Sequence, residues 1–208
     1  RGAKKAITQA AQAFQGWSRL PIRQRQAYLK RLTEVVVRQK HEIAKLIALE
    51  QGKPMTEAMA TEVLPVLGIL KDLSRNAHKV LRGVPADHQQ IMFAHKRSHY
   101  CYMPHGVVAI ISPWNYPFST PLPQIATALA AGNTVLFKPA CNAVFIGKKI
   151  DDLFQAAGFP KGVVNTVMVK GKDAPVITQH PDVNKIVFTG STAVGRKIMG
   201  AAAEGIKP

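Results

Sequence analysis

In the stretch Ile110-Ile111-Ser112-Pro113-Trp114-Asn115-Tyr116-Pro117-Phe118 two prolines bracket Trp114 to Tyr116, and that bracket constrains the fold more than any other feature of the chain. The β-branched run Val107 to Ile111 reads as a short buried strand, while from Phe118 the apolar residues Leu122, Ile125 and Leu129 recur at helical steps. Trp114 and Asn115 therefore belong to a strand-to-helix turn, which in an open α/β sheet lies at the carboxyl edge where ligands bind. An Asn held there between prolines suits a rigid hydrogen-bond donor. Local sequence equally allows Asn115 to be a cap of the following helix.

The same rhythm repeats downstream. Candidate strands at Val107 to Ile111, Val135 to Lys138, Val163 to Val169 and Ile186 to Thr189 are separated by helical patterns. Ile146, Ile150, Leu153 and Ala157 form one helix face, closed by Gly158 and Pro160, and Ala130-Ala131-Gly132-Asn133 ends the preceding helix in the same way. Alternation of this kind predicts an α/β chain with a doubly wound parallel sheet. Before it, from Arg1 to about Arg82, Ala6, Ala10 and Phe14 and then Tyr28, Leu32, Val35, Ile43, Leu46 and Ile47 describe helical scaffold. Trp17 and Leu20 before Pro21, and Gly52-Lys53-Pro54, break it into separate helices; Pro65 should kink or restart the third, and Gly83 to Pro85 should close the region.

Two further strand ends carry chemistry. In Phe188-Thr189-Gly190-Ser191-Thr192-Ala193-Val194-Gly195 a glycine at the strand end lets backbone approach a ligand, and the next helix offers N–H groups and a positive dipole end to an anion such as a pyrophosphate. Gly-Ser-Thr is also an ordinary helix start, and no G-x-G-x-x-G fingerprint occurs. Lys138-Pro139 puts a cation at the second strand end; a lone Lys there is commonly solvated, but a parallel sheet would bring it beside both turns.

Composition narrows the classes of function. A formal charge of +16 raises nucleic-acid binding. Yet Arg19, Arg23, Arg25, Lys30, Arg31, Arg38 and Lys40 crowd the early helices without interleaved aromatics, and no zinc or RNA-binding signature accompanies them, so a solvated or partner-facing basic surface is the better reading. Cys101 and Cys141 form no CxxC or disulfide framework, which points to a reduced, cytoplasmic setting. No apolar run reaches the roughly twenty residues needed to span a bilayer, and no signal peptide is visible. His78, His88, His95, His99 and His105 lack ligand spacing and read as surface residues. The absence of an initiator Met, and an end at Lys207-Pro208 without a closing element, suggest an excised piece. From Phe93 to Met103 a loosely alternating, charged segment reads as an edge strand, either an assembly arm or a cover for its own domain.

Four blocks together resemble the N-terminal part of the aldehyde dehydrogenase superfamily, over essentially the whole chain: Pro113-Trp114-Asn115-Tyr116-Pro117; Ala130-Ala131-Gly132-Asn133 running into Lys138-Pro139; Gly158-Phe159-Pro160 with Gly162-Val163-Val164-Asn165; and Phe188-Thr189-Gly190-Ser191-Thr192 with Val194-Gly195. The resemblance implies a Rossmann-like cofactor-binding sheet at 107–208, a helical N-terminal part of the same domain at 1–92, an oligomerisation arm at 93–106 and a homo-oligomeric parent. It implies oxidation of a small-molecule aldehyde to an acid with NAD or NADP, through a cysteine thioester whose oxyanion is held by donors including Asn115. By the same resemblance Ile111, Ser112 and Trp114 border the cofactor, Lys138 meets the adenosine ribose, Ser191 the pyrophosphate, and Phe188, Gly190 and Val194 further cofactor positions, with Gly171 beside the adenine. The family's Glu-Leu-Gly-Gly-Lys and Gly-Gln-x-Cys blocks, which hold its general base and nucleophile, are not in this sequence, and neither Cys101 nor Cys141 matches the nucleophile; the chain alone is expected to catalyse nothing. Cys141 stands where NAD-preferring members commonly carry a ribose-binding Glu, so NADP is expected to be accepted at least as well as NAD. The competing class is a non-enzymatic module that applies its basic face to an acidic partner.

Overall fold

The computed structural model describes residues 2–86, 90–93 and 95–208. Helices α1 (Gly2–Trp17) and α2 (Ile22–Gln51) are followed by a short α3 (Met55–Ala58), a π-helical turn (Met59–Val63) and α4 (Leu64–Val80). Strands β1 (Val84–Ala86) and β2 (Ser98–Tyr100) pair antiparallel as a separate two-stranded ribbon. The main sheet then alternates β3 (Val107–Ile111), α5 (Pro121–Ala130), β4 (Thr134–Lys138), α6 (Val144–Ala156), β5 (Val164–Thr166), α7 (Pro175–Thr178), β6 (Val183–Phe188) and α8 (Thr192–Ala203).

The four main strands are parallel in the order β5-β4-β3-β6. Helices cover both faces, as the doubly wound pattern requires, and the strand alternation shows why. Val108, Ile110, Val135 and Phe137 enter the large core with α2, α4, α5 and α6. Their neighbours Val107, Ala109 and Leu136 point the other way, to a smaller core with Ile7 and Ala10 of α1, Ile177 of α7 and Val183. A strand buried on both faces reads as a continuous apolar run, and β3 and β4 are buried at every residue.

Several expectations are refined. α1 buries Ile7, Ala10 and Trp17, leaving Ala6 and Phe14 half-buried, so its inward stripe is rotated slightly from the predicted one. The indole N–H of Trp17 donates to the Leu129 carbonyl at 3.1 Å, so the residue read as a helix-break marker also fastens α1 to α5. Pro65 restarts a helix as expected, in the first turn of α4 directly after the π turn. The segment from Phe93 to Met103 is not one strand: Ile91–Phe93 is a 3-10 turn, only Ser98–Tyr100 is extended, and Ala94 lies outside the described residues. Its partner strand contains Pro85, which was expected to close the helical region and is tolerated because the ribbon has outer edges. Of the histidines, His95, His99 and His105 are exposed, His78 is half-buried, and His88 lies outside the described residues. No described helix is long and apolar enough to cross a membrane.

Arg25 is a buried fastener between the helical region and the sheet. Its Nε donates to the Ala130 carbonyl at 3.0 Å, and Nη1 to the carbonyls of Leu20 at 2.6 Å and Ser18 at 3.4 Å. Burial holds its guanidinium below the ordinary arginine range. Gly132, at φ 93°, passes so close that a Cβ there would lie 3.3 Å from Nη1. Arg25→Met keeps the alkyl stem but orphans these carbonyls, and should lower unfolding free energy by about 2–4 kcal/mol. Chemical denaturation of the intact protein reads this directly; a loss under about 0.5 kcal/mol, the scale of an ordinary surface change, would contradict it.

Candidate functional site

Parallel register puts three strand ends at one level. Ile111 of β3 lies opposite Lys138 of β4 on one side and Phe188 of β6 on the other. The ladder runs one step further, with Ser112 N–H donating to the Lys138 carbonyl at 3.2 Å and Thr189 N–H to the Ile111 carbonyl at 3.0 Å. From β3 the chain builds outward through β4 and β5, then returns to the opposite side of β3 with β6. A crevice outside the strand ends at such a reversal is where open α/β sheets take ligands.

A cavity of about 450 Å³ opens there, lined by Ile111, Lys138, Gly171 and Val194 together with Lys172 and Lys197. Four of the residues singled out in the sequence thus share one wall. No carboxylate lines it. Lys138 is only 6% exposed rather than solvated, and its Nζ donates to the carbonyl of Pro139 at 3.3 Å. Gly171 opens a 3-10 turn (Gly171–Asp173) that brings Lys172 to the mouth.

Phe188 and Gly190 form the next part of the edge. The Phe188 ring lies so close over the turn that a Cβ on Gly190 would come 2.5 Å from its Cζ, and one on Gly195 3.4 Å from Cε1. A side chain at 190 would have to displace that ring. Ser191 is the N-cap of α8, its Oγ accepting the Val194 N–H at 3.4 Å. The ordinary helix-start reading is realised, and residues 190–194 are also exposed, so the front of α8 is open to solvent.

Asn115 sits on the exposed turn after Pro113, with Trp114 beside it at 55% exposure. It does not cap the next helix: α5 begins at Pro121 with Thr120 in the N-cap position, and no side chain caps it there. The Asn115 main-chain carbonyl accepts from Lys53 Nζ at 2.9 Å, and its side-chain amide has no hydrogen-bond partner among the described residues. Gln124 of α5 donates Nε2 to Thr189 Oγ1 at 3.3 Å, tying α5 to the Gly190 turn. Two buried polar atoms nearby have no partner, Ser112 Oγ and Gln124 Oε1. Buried polar atoms are normally satisfied, so these orphans fit an edge completed by a polar ligand.

Cys141 is not brought into the cavity. It lies two residues beyond Pro139, exposed, with Sγ 4.0 Å from the Val169 carbonyl, in a smaller cleft lined by Pro139, Val144 and Met168.

The whole chain, residues 1–208, matches the family model described as the aldehyde dehydrogenase family. The chain belongs to that family. It is 35% identical over 203 residues to the 1-pyrroline-5-carboxylate dehydrogenase of Bacillus thuringiensis (strain Al Hakam), an alignment covering 97% of this chain and 38% of the relative. Among solved structures, an aldehyde dehydrogenase from Brucella melitensis biovar abortus 2308 superposes with a TM-score of 0.92 at 32% identity, over 99% of this chain and 42% of that one. The NAD+ complex of an aldehyde dehydrogenase from Bacillus cereus gives 0.92 at 30% identity, over 99% and 42%. The chain thus spans well under half the length of these aldehyde dehydrogenases, and shares with them the parallel, Rossmann-like sheet.

Sequence reasoning missed Lys172 and Lys197, because lysines are common in this chain and nothing local distinguishes two of them. It also missed Gln124, whose role depends on Thr189, sixty-five residues away. Three ammonium groups around a cavity without a carboxylate should favour a phosphorylated ligand. AMP should bind the intact protein roughly tenfold tighter than adenosine in titration calorimetry, an advantage that shrinks with salt and with Lys138→Ala. Equal binding of the two would contradict this electrostatic reading.

Proposed function

We propose that this chain is the cofactor-binding part of an NAD(P)-dependent aldehyde dehydrogenase that oxidises a small-molecule aldehyde to its carboxylic acid through a cysteine thioester. The observation that carries this is the position of Asn115, whose unpartnered side-chain amide sits on the same strand edge as the lysine-lined cavity. A nicotinamide dinucleotide fits the residues present, since it would satisfy Ser112 Oγ and lie along the exposed turn at residues 190–194. Ile111, Lys138, Gly171 and Val194 would hold the adenosine end, and Ser191 with the exposed start of α8 the pyrophosphate. Phe188, Gly190, Ser112 and Trp114 would border the cofactor on the way to Asn115. When bound, the nicotinamide supplies the hydride acceptor.

The contribution of Asn115 is electrostatic. As the aldehyde carbon is attacked, negative charge develops on the carbonyl oxygen, and the Asn115 amide N–H donates to it. A donor already held in place stabilises that charge without reorganisation. The attacking thiol and the water-activating carboxylate belong to the family's catalytic portion. Neither Cys101 nor Cys141, both exposed, matches the family's nucleophile, so this chain alone should show no aldehyde oxidation. In the intact enzyme Asn115→Ala should lower kcat by about a hundred- to a thousand-fold. Near wild-type turnover would remove Asn115 from the chemistry.

The cofactor preference follows from charge. Lys138, Lys172 and Lys197 line the cavity proposed for the adenosine end, and the position three residues after Lys138 is Cys141 rather than a carboxylate. Nothing there repels a 2′-phosphate, so the intact enzyme should use NADP at least as well as NAD. The ratio of kcat/KM for the two cofactors decides, with a strong NAD preference against the proposal; Cys141→Glu should move the ratio toward NAD.

The division into a helical part at 1–92, an arm at 93–106 and a cofactor sheet at 107–208 belongs to the same proposal, as does a cytoplasmic homo-oligomer. The arm reading is supported by β2, which pairs in a ribbon separate from the main sheet, and by the exposed Tyr100, Tyr102 and Met103 of this segment. Light scattering that shows a monomeric intact protein would remove it.

A further inference from the structure

The turn that carries Asn115 is held from outside the sheet by an ion pair. Glu62 is fully buried, at 0% exposure, and each carboxylate oxygen has its own task. Oε2 accepts the main-chain N–H groups of Phe118 at 2.9 Å and Ser119 at 3.3 Å. Oε1 accepts from Lys53 Nζ at 2.6 Å. The same ammonium donates to the Asn115 carbonyl at 2.9 Å and lies 4.4 Å from the centre of the Tyr116 ring. Residues 115, 116, 118 and 119 are thus all in contact with one charged pair.

Local structure accounts for the placement. The turn lacks a capping side chain of its own, because α5 starts with Thr120 in the cap position and no side-chain cap bond. A carboxylate delivered from another helix replaces it, as anions suit the exposed N–H groups before a helix. Glu62 lies within the π turn Met59–Val63, which is wider than an α-turn and precedes Pro65, a residue that an uninterrupted helix would not accommodate. Lys53 follows Gly52, which ends α2 in the left-handed conformation at φ 74° and turns the chain back. The helix breaks at Gly52 and Pro65 therefore frame the pair that grips the turn.

We propose that Glu62, acting with Lys53, is a positioning residue for Asn115, fixing its turn so that the side-chain amide is presented toward substrate. The clause about substrate rests on the function proposed above; the holding of the turn does not. Glu62→Gln keeps the shape and removes the charge that binds the amides and the ammonium.

In the intact enzyme this variant should lower kcat about tenfold or more, while KM for the nicotinamide cofactor stays within about twofold, since the adenosine cavity is untouched. In an Asn115→Ala background it should add less than about a twofold loss, because residues that act through one another are not additive. A merely structural role would instead multiply the two losses, and that result overturns the proposal, as does an unchanged kcat. Amide hydrogen exchange at Phe118 and Ser119 gives a readout independent of turnover. Glu62→Gln should speed it about tenfold or more, and unchanged exchange overturns the proposal whatever the activity. If the intact wild type oxidises no aldehyde, the function reading fails while exchange still decides whether Glu62 holds the turn. Should Glu62→Gln not fold, the paired replacement Glu62→Gln with Lys53→Met leaves no uncompensated buried charge and serves in its place.

Discussion

The hydrogen-bonded ladder on both sides of β3 is the constraint on which the rest of the structure depends. Because β3 pairs in parallel with β4 and with β6, Ile111, Lys138 and Phe188 come to one level, and the turns after them open on the same side. A shift by one residue would send Val108 and Ile110 to the face now filled by Val107 and Ala109. The two cores differ in extent and in the helices that chiefly build them, α2, α4, α5 and α6 on one face and α1 and α7 on the other, which opposes that exchange. Register is thus set by packing, and the ligand edge follows from register.

Much of this was legible from local pattern. The runs at Val107 and Val135, the helical repeat Leu122, Ile125 and Leu129, and the Gly158 stop all correspond to observed elements, since each strand or helix is short and buried along most of its length. The convergence of Lys138 with the Gly190 turn also followed once a parallel sheet was assumed. What local pattern could not give were facts that depend on distant partners. The burial of Lys138 and the short extent of β2 each depend on residues remote in sequence. The capping question turned on where α5 begins, and Pro121 with Pro123 delays that start beyond the reach of Asn115.

Charge is handled differently on the two sides of the edge. Around the cavity, Lys138, Lys172 and Lys197 stand without a carboxylate, an arrangement that invites an anion. Beneath the Asn115 turn, buried Glu62 pairs with half-buried Lys53, each charge met by its partner and by main-chain groups. One set is left for a ligand, and the other is spent inside the fold on rigidity. The chain belongs to the aldehyde dehydrogenase family, and one solved neighbour is an NAD+ complex; in the function proposed above, the cofactor's phosphates suit the first set, and the second holds the turn of the proposed donor Asn115.

The most direct measurement of the central claim is a crystal structure of the intact protein with its nicotinamide cofactor bound. The account predicts the adenosine end in the cavity of Ile111, Lys138, Gly171 and Val194, the pyrophosphate at the start of α8 by Ser191, and the nicotinamide running toward Asn115. A cofactor seated elsewhere, or one whose nicotinamide points away from the Asn115 turn, would contradict it.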